Sequence, residues 1–276
     1  MPAVPESSSP TPTAFFFRDG ADLLPTVATQ GPWHPGAQHG GPVCAALAWL
    51  IEAVPTIVPM QVSRFTFDLL RPAPLTRLST VTRVVRDGKR IQVVEALLLD
   101  ADVEIARGAV VRLREVELPE LIDHPQRPRT MAPAPTAYIA HPPSAMAARI
   151  GFLRAIDIDR VVGEPGGGPP SISWYRARVP LVEGEPMSAL QRLAMFADFT
   201  SSSASYLDHR VYSAINADVT VQVLRRPVGE WLCVDPTTVA GGNGIGHSRS
   251  SIYDTEGFVA SASTSQLVDR VRSPFA

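Results

Sequence analysis

The sequence predicts an α+β protein made of two related halves, each with one central helix covered by an antiparallel sheet. Three observations support this fold class: a strand pattern that occurs twice, turn residues between successive alternating runs, and an apolar helix pattern that follows a glycine-rich loop. An antiparallel sheet has one apolar face that a helix can cover. Two such halves side by side can join their sheets, which removes an edge from each and leaves a cleft where a ligand can bind.

The composition is that of an ordinary globular protein, with 45% hydrophobic and 19% charged residues among 276. A net charge of -2 argues against a nucleic-acid partner, which normally requires a basic excess. Cys44 and Cys233 both lie in apolar patterns, so we interpret them as core residues and not as a disulfide. No segment approaches the roughly 18 apolar residues of a membrane span. The first residues lack the features of a secretory signal, so we expect no membrane association and a cytoplasmic location.

Proline content divides the chain into four parts. Residues 1–13 are rich in Pro, Ser and Thr and are expected to be disordered. Seven prolines between 119 and 143 predict an extended linker. The sequence therefore predicts a first domain over residues 14–118 and a second domain over residues 144–276.

The first half contains the elements of a helix followed by a meander. An edge strand near 14–18 precedes the segment "GPWHPGAQHGGPVCAALAWLIEAV", which changes from turn residues to an apolar helix pattern. The strand "FTFDLLRPAP" follows, and Asp87-Gly88 is a strong hairpin signal between two of the later alternating runs. The later strands are predicted at about 78–86, 90–99 and 103–114.

The second half repeats this order. A strand near 171–179 precedes the second helix, and "VTVQVLRRPV" matches the first-half strand, since both runs alternate and end in Arg-Pro. The prolines of these two Arg-Pro pairs, Pro72 and Pro227, are 155 positions apart. The same offset aligns Asp198 with Val43, so we expect Asp198 near the start of the second helix, as its N-cap or as a carboxylate that activates water. Three further strands are predicted at about 230–238, 247–253 and 258–269.

The glycine-rich start of the first helix predicts a site for negative charge. The first N–H groups of a helix lack intrahelical partners and attract anions, and glycine lets a ligand approach the backbone closely. We therefore expect Gly40 and Gly41 to contact the substrate, together with the neighbouring His39. The histidines lack a metal-binding spacing and the serines lack the G-x-S-x-G pattern, so neither a metal nor a serine nucleophile is expected.

Four segments together resemble a known family. The segments "GPWHPGAQHGGPVCAALA", "LLRP", "NADVTVQVLRRPVGEWLCVD" and "GFVASASTSQLV" resemble the double-hotdog acyl-CoA thioesterases, above all the bacterial type II enzymes and their actinobacterial relatives. The likeness extends over about residues 20–270. It implies that each half is one hotdog domain and that acyl-CoA is hydrolysed to the free acid and CoA without a cofactor, with the acyl chain in an apolar tunnel between helix and sheet.

The resemblance also implies a catalytic group of an Asp, a Thr or Ser, and a Gln in the second hotdog, which together position the attacking water. The Asp falls on Asp198, the Thr/Ser position on Asn216 and the Gln position on Thr264. Asn216 can still donate and accept hydrogen bonds. Thr264 is shorter than Gln, and Gln266 lies two residues further on the same face of the strand, where it can replace the contact.

The two departures from the family pattern leave other functions open. One is an acyl-CoA binding protein without hydrolytic activity on the same fold. Another is a hotdog dehydratase or hydratase, which needs a His–Asp pair that His39 and Asp198 would supply, although the motif that flanks such a pair is missing. An oligomerisation scaffold has no positive sign in the sequence, while the free sheet edges leave room for a homo-oligomer.

Overall fold

The computed structural model describes residues 12–118, 147–163, 171–202, 207–208 and 211–271. The expected linker 119–143 lies outside these ranges, and so does all but the end of the expected disordered segment 1–13. Both therefore stay predictions, as do the domain boundaries that depend on them.

The described elements comprise four helices and thirteen strands. The helices are α1 (Gly40–Glu52), α2 (Gly151–Arg154), α3 (Ala189–Ala197) and α4 (Phe199–Ser202), with short 3-10 helices at Val27–Thr29 and Ala147–Arg149. The strands of the first half are β1 (Phe16–Asp19), β2 (Asp22–Pro25), β3 (Met60–Leu69), β4 (Ser79–Arg86), β5 (Ile91–Asp100) and β6 (Val103–Arg114). Those of the second half are β7 (Ile156–Val162), β8 (Ile172–Ala177), β9 (Tyr212–Asn216), β10 (Asp218–Val223), β11 (Leu232–Ala240), β12 (Ile245–Asp254) and β13 (Gly257–Arg270).

Strands β3 to β13 form one large antiparallel sheet. Its order is β4-β5-β6-β3-β10-β13-β12-β11-β8-β7, and β9 pairs with β13 beside this path. The two halves join where β3 pairs with β10, with Phe65 opposite Val221 and Phe67 opposite Val219. These four side chains are buried, so the shared apolar face of the two halves continues across the joint. The α+β fold class with merged antiparallel sheets is confirmed.

The expected meander of four strands in each half is wrong in one respect, because β3 pairs with β6 and β10 instead of β4, and β10 pairs with β13 instead of β11. Two further strands differ from the sequence-based expectation. The strand predicted near 14–18 lies outside the large sheet and pairs with β2 in a separate two-stranded sheet. Its backbone bonds to the second half, because the Phe16 amide donates to the carbonyl of Leu181. The edge of the large sheet beyond β8 is instead β7, which pairs with β8 from Ile156 opposite Ala177.

Helices α1 and α3 pack side by side and run in opposite directions. Glu52 at the end of α1 accepts hydrogen bonds from Ser188 and Gln191 at the start of α3, at 2.6 and 2.9 Å. At the other end, a Cβ added to Gly41 would lie 2.7 Å from the carbonyl oxygen of Met195. The start of α1 is therefore placed against the end of α3, and this contact positions the candidate site.

The expectation that Asp198 lies at the start of the second helix is wrong. Ser188 is the N-cap of α3 and forms a capping box with Gln191, in which each side chain accepts from the backbone amide of the other residue at 3.1 Å. Asp198 follows the last residue of α3 and connects it to α4. The offset between the repeats failed here because this capping box starts the second helix earlier than the corresponding helix in the first half.

Candidate active site

Asp198 lies at the contact between the two halves. Its side chain is 4% exposed. A Cβ added to Gly40 would lie 2.8 Å from each of its carboxylate oxygens. The carboxylate of the second half thus faces the N-terminus of α1, where the helix dipole and the unpaired N–H groups favour negative charge.

His39 connects the same two elements. It is the N-cap of α1, where its Nδ1 accepts a hydrogen bond from the Gly41 amide at 3.1 Å. The same Nδ1 lies 2.9 Å from Oδ2 of Asp198. A ring nitrogen carries either a hydrogen or a lone pair. Nδ1 can therefore either accept from the Gly41 amide or donate to the Asp198 carboxylate, but it cannot do both at once. When Nδ1 carries the hydrogen it donates to Asp198, and the Gly41 amide then loses this acceptor.

Asn216 completes the contacts of the carboxylate. Its Nδ2 donates to Oδ1 of Asp198 at 2.6 Å and to the backbone carbonyl of the same residue at 3.2 Å. Its Oδ1 is buried and has no hydrogen-bond partner in the described structure. A buried acceptor without a partner is unusual in a native fold and calls for an explanation, such as a water or ligand that binds there.

Thr264 and Gln266 lie on the strand that pairs with β9, and among the described residues neither hydrogen-bonds to the Asp198 carboxylate. Gln266 is the pairing partner of Asn216 across β13 and β9. Its Oε1 accepts from the Ser248 hydroxyl at 2.8 Å, so this acceptor does not replace the missing Gln contact. The Thr264 hydroxyl is buried and has no partner among the described residues. The structure therefore brings His39, Gly40, Gly41, Asp198 and Asn216 together, and it places Thr264 and Gln266 on the adjoining strand.

Aromatic side chains surround the His39 ring and were not predicted from the sequence. The ring centroid of His39 lies 4.4 Å from that of Phe152 and 5.4 Å from that of Phe199. Tyr175 stacks on Phe199 with centroids 4.4 Å apart. These side chains are buried, so they exclude water and strengthen the electrostatic interactions inside the site. The only sequence signal for these aromatic neighbours was that Phe199 directly follows the candidate catalytic residue Asp198.

Phe152 reaches the site through a tight backbone contact. A Cβ added to the preceding Gly151 would lie 1.8 Å from the carbonyl oxygen of Val27, so only glycine fits there. The Phe152 amide donates to the carbonyl of Gln30 at 3.0 Å. These contacts connect residues far apart in sequence, and no local pattern predicts them.

The buried thiol beside the site is not a nucleophile. Cys44 lies in α1 and is fully buried. Burial raises its pKa well above the ordinary value, and the negative charge of Asp198 raises it further. The thiol therefore stays protonated and unreactive, because the thiolate is the reactive form.

Other potential sites lie elsewhere. A cavity of about 470 Å³ is lined by Thr66, Asp68 and Arg107 among others. Because Thr66 and Asp68 alternate along β3 with the buried Phe65 and Phe67, this cavity lies on the face of the sheet away from the core. Within the described ranges, no three His, Cys, Asp or Glu residues are grouped so that they could hold a metal ion. No helix in that part of the chain is long and apolar enough to cross a membrane.

The fold and the site define a two-domain hotdog protein with a carboxylate at the domain junction. Residues 29–113 match the family model of the acyl-CoA thioesterase N-terminal domain, and residues 125–268 match that of the C-terminal domain. The chain therefore belongs to the TesB-like double-hotdog family of acyl-CoA thioesterases, in agreement with the resemblance seen in the sequence.

Solved structures agree with this fold. A tesB protein from Mycobacterium avium subspecies paratuberculosis is 14% identical, with a TM-score of 0.67 over 93% of this chain and 96% of the other. A hotdog-fold protein from Alicyclobacillus acidocaldarius is also 14% identical, with a TM-score of 0.69 over 94% and 96%. The acyl-CoA thioesterase II TesB2 from Mycobacterium marinum is 17% identical, with a TM-score of 0.61 over 89% and 98%. At these identities the likeness shows the fold alone. No curated protein sequence matches the chain significantly.

Proposed function

We propose that this chain hydrolyses acyl-CoA thioesters and that Asp198 orients and deprotonates the attacking water. One observation carries the proposal: the Asp198 carboxylate of the second half faces Gly40 at the N-terminus of α1 in the first half. A general base beside the amide donors of a helix N-terminus supplies the groups that hydrolysis of a thioester requires.

The remaining contacts fit definite roles in this reaction. Asn216 donates to Asp198 and so fixes the orientation of the carboxylate, while its unpartnered Oδ1 can accept a hydrogen bond from the attacking water. It would thereby take the place of the Thr or Ser of the family pattern. Thr264 stands at the Gln position, but its hydroxyl makes no hydrogen bond to Asp198, so we assign it no contact with the carboxylate.

The bond changes are those of a direct hydrolysis. Water attacks the thioester carbonyl carbon while Asp198 takes one of its protons. The carbonyl oxygen gains negative charge, which the N-terminus of α1 beside Asp198 favours. The carbon–sulfur bond then breaks, the CoA sulfur leaves as a thiolate and takes the proton, and the acid is released. Each preorganised amide donor of such an N-terminus contributes about 3 to 4 kcal/mol to the stabilisation of the transition state.

Replacement of the carboxylate by its amide tests the proposal. In Asp198→Asn the shape of the side chain is kept and the base is lost, so we expect thiol release from acyl-CoA to fall on the order of a thousandfold or more with little change in thermal unfolding. The matched control is Asp102→Asn, at an exposed turn residue in the first half whose positive φ of 68° suits Asn. Wild-type rates in Asp198→Asn would reject the role of this residue. Acyl-CoA binding without turnover by the wild type would favour the non-hydrolytic alternative.

The contact between His39 and Asp198 also supports a second candidate, a hydratase. The 2.9 Å distance between Nδ1 and Oδ2 supplies the His–Asp pair that this reaction needs. A 2-enoyl-CoA substrate separates the two functions, because hydration removes the conjugated double bond without thiol release, whereas hydrolysis releases the thiol and keeps the double bond.

A further inference from the structure

The face of the second-half sheet that lies under the helices changes character along the strands. Across β11, β12 and β13, the residues Val234, Ile252 and Ala260 form one cross-strand row, which is apolar and buried. Further along the same face, Thr238, Ser248 and Thr264 form another row in the same register, and every member carries a hydroxyl group. Side chains that are directly opposite in neighbouring strands share a face, so the polar row continues the surface that the apolar row begins.

This polar row lies beside the candidate active site. Helix α4, which follows Asp198, packs against β11, β12 and β13. Its Thr200 hydroxyl shares a 2.7 Å hydrogen bond with that of Ser250, and both residues are buried. The next residue after Thr264 on this face of β13 is Gln266, the partner of Asn216. Two strand residues span about 7 Å, so the hydroxyl row begins within the length of a short acyl chain from the Asp198 group.

The first half has buried polar groups on the same sheet face, but they are paired, because Arg112 donates to Gln92 at 2.8 Å and to the carbonyls of Val54 and Ile51. The corresponding faces of β3 and β5 carry Phe65, Phe67, Val94, Ala96 and Leu98, all buried. The two halves thus differ in that the buried polar end of the first-half face is closed by an arginine and an amide, whereas the second-half face ends in hydroxyl groups. The apolar tunnel expected from the sequence stays a prediction, and the sheet face next to Asp198 carries hydroxyl groups.

One hydroxyl in the row has no hydrogen-bond partner. Ser248 bonds to Thr238 at 2.5 Å and to Gln266 at 2.8 Å. Thr264 is 1% exposed, and its Oγ1 has no partner in the described structure. A buried hydroxyl without a partner is costly, and a bound ligand with a polar group would provide the partner that the protein does not.

We propose that the acyl group bound beside Asp198 carries a hydroxyl group on one of its first carbons, and that Thr264 recognises it. The inference rests on the proposed function, since it places the thioester carbonyl at Asp198. A plain alkyl chain would leave the Thr264 hydroxyl unpaired, whereas a substrate hydroxyl can both donate to and accept from it. Sites built to bind a substrate hydroxyl reject the analogue that lacks it far more strongly than apolar pockets reject an extra methylene.

The experiment compares butanoyl-CoA with 3-hydroxybutanoyl-CoA and 4-hydroxybutanoyl-CoA. We expect at least one hydroxylated substrate to have a kcat/KM on the order of tenfold or more above that of butanoyl-CoA. In Thr264→Val, which keeps the shape and removes the hydroxyl, this ratio should fall to about one, and in Thr264→Ser it should be retained. The matched control is Thr237→Val, on the exposed face of β11. Thermal unfolding of each variant shows that it folds.

The ratio of kcat/KM for a hydroxylated substrate to that for butanoyl-CoA separates recognition of the substrate hydroxyl from a general effect of Thr264 on activity. A parallel loss for all three substrates in Thr264→Val, with an unchanged ratio, would overturn the proposal, and so would a wild type that prefers butanoyl-CoA. Binding of the same three compounds to Asp198→Asn, measured by calorimetry, decides the inference if the wild type hydrolyses none of them. Tighter binding of a hydroxylated compound, lost in the double variant with Thr264→Val, would support it even if hydrolysis fails, and equal binding of all three would overturn it.

Discussion

Gly40 and Asp198 belong to different halves of the chain, yet a Cβ on Gly40 would lie 2.8 Å from both carboxylate oxygens of Asp198. Real Cβ atoms do not approach another heavy atom so closely, so the absence of a side chain at Gly40 is a condition for this placement of the carboxylate. The carboxylate itself has little freedom to move, because Asn216 and His39 hold its two oxygens. The glycine-rich start of α1 therefore serves the contact between the halves as well as the approach of a ligand.

Gly40→Ala should displace the Asp198 carboxylate while it leaves the helix itself able to form, since alanine favours helices. A displacement of about 1 Å can reduce a rate on the order of a hundredfold, so we expect kcat/KM for acyl-CoA hydrolysis to fall by about that factor. Thiol release measures the rate. Gly242→Ala is the control, because a Cβ there meets no atom within 4 Å. Equal rates in Gly40→Ala and the control would contradict the importance of the contact.

Asn216 can be tested by one variant that removes its hydrogen bonds and one that replaces them. Asn216→Leu has a similar size but cannot donate to Asp198, so we expect kcat to fall on the order of a hundredfold. Asn216→Ser should remain within about tenfold of wild type, because a hydroxyl can donate to the carboxylate and accept from a water. Steady-state kinetics compares the two variants. A leucine variant as active as the serine variant would show that the polar group at this position does not take part.

The two cysteines should resist alkylation as long as the protein is folded. Burial raises the pKa of Cys44 well above its ordinary value, and burial together with the charge of Asp235 raises that of Cys233 to about 12. At about pH 8 both thiols are therefore protonated, and the thiolate needed for reaction with iodoacetamide is scarce. Mass spectrometry should find neither modified in the native state and both modified in denaturant. Rapid native labelling of Cys44 would show that α1 separates readily from its neighbours.

Local patterns in the sequence predicted the architecture well. The strands with strict alternation, such as β5 and β13, lie close to their expected bounds, because one face of each is buried and fixes its register. The glycine-rich start of α1 and its neighbour His39 were also found, since turn residues before an apolar run are a local signal. The position of Asp198 was wrong by a whole helix length, because the repeat offset assumed equal connections in both halves while Ser188 starts α3 on its own local signal.

The lining of the site could be predicted only in part. The hydroxyl row is not marked by a local pattern, because the alternating serines of "ASASTSQ" lie on the opposite face of β13 from Thr264. Its burial depends on α4 lying above these strands, which no local pattern shows. Phe152 is placed by the contact of Gly151 with Val27, across more than a hundred residues of chain. Such long-range contacts fix where aromatic side chains go, while the sequence around them shows only that they are apolar.

Acid should weaken one buried ion pair at the end of β12, and this can be measured. The Asp254 side chain is fully buried and accepts from the Arg225 guanidinium, at 2.6 Å from Nη1, and from the amides of Val228 and Glu256, at 2.7 and 2.8 Å. Burial alone would raise the pKa of Asp254, but the hydrogen bonds from Arg225 and the two amides outweigh it and lower the pKa below its ordinary value. The folded state therefore binds a proton at Asp254 less well than the unfolded state does. The ionised Asp254 contributes its full stabilisation above the unfolded pKa of about 3.9, and this stabilisation decreases as the pH falls through the lower folded pKa.

Asp254→Asn keeps the shape of this side chain and removes its charge. Hydrogen bonds to a charged group contribute about 1.5 to 3 kcal/mol each, and Arg225 is partly exposed and can be solvated by water once it loses its partner. We therefore expect the free energy of unfolding to fall by about 2 kcal/mol at about pH 7, as measured by urea denaturation. The difference from wild type should narrow steadily below about pH 4, because the wild-type carboxyl then becomes neutral as well. Asp102→Asn is the exposed control and should show no such narrowing. A difference for Asp254→Asn that is the same at both ends of this pH range would mean that the lost acceptor oxygen, and not the charge, accounts for the destabilisation.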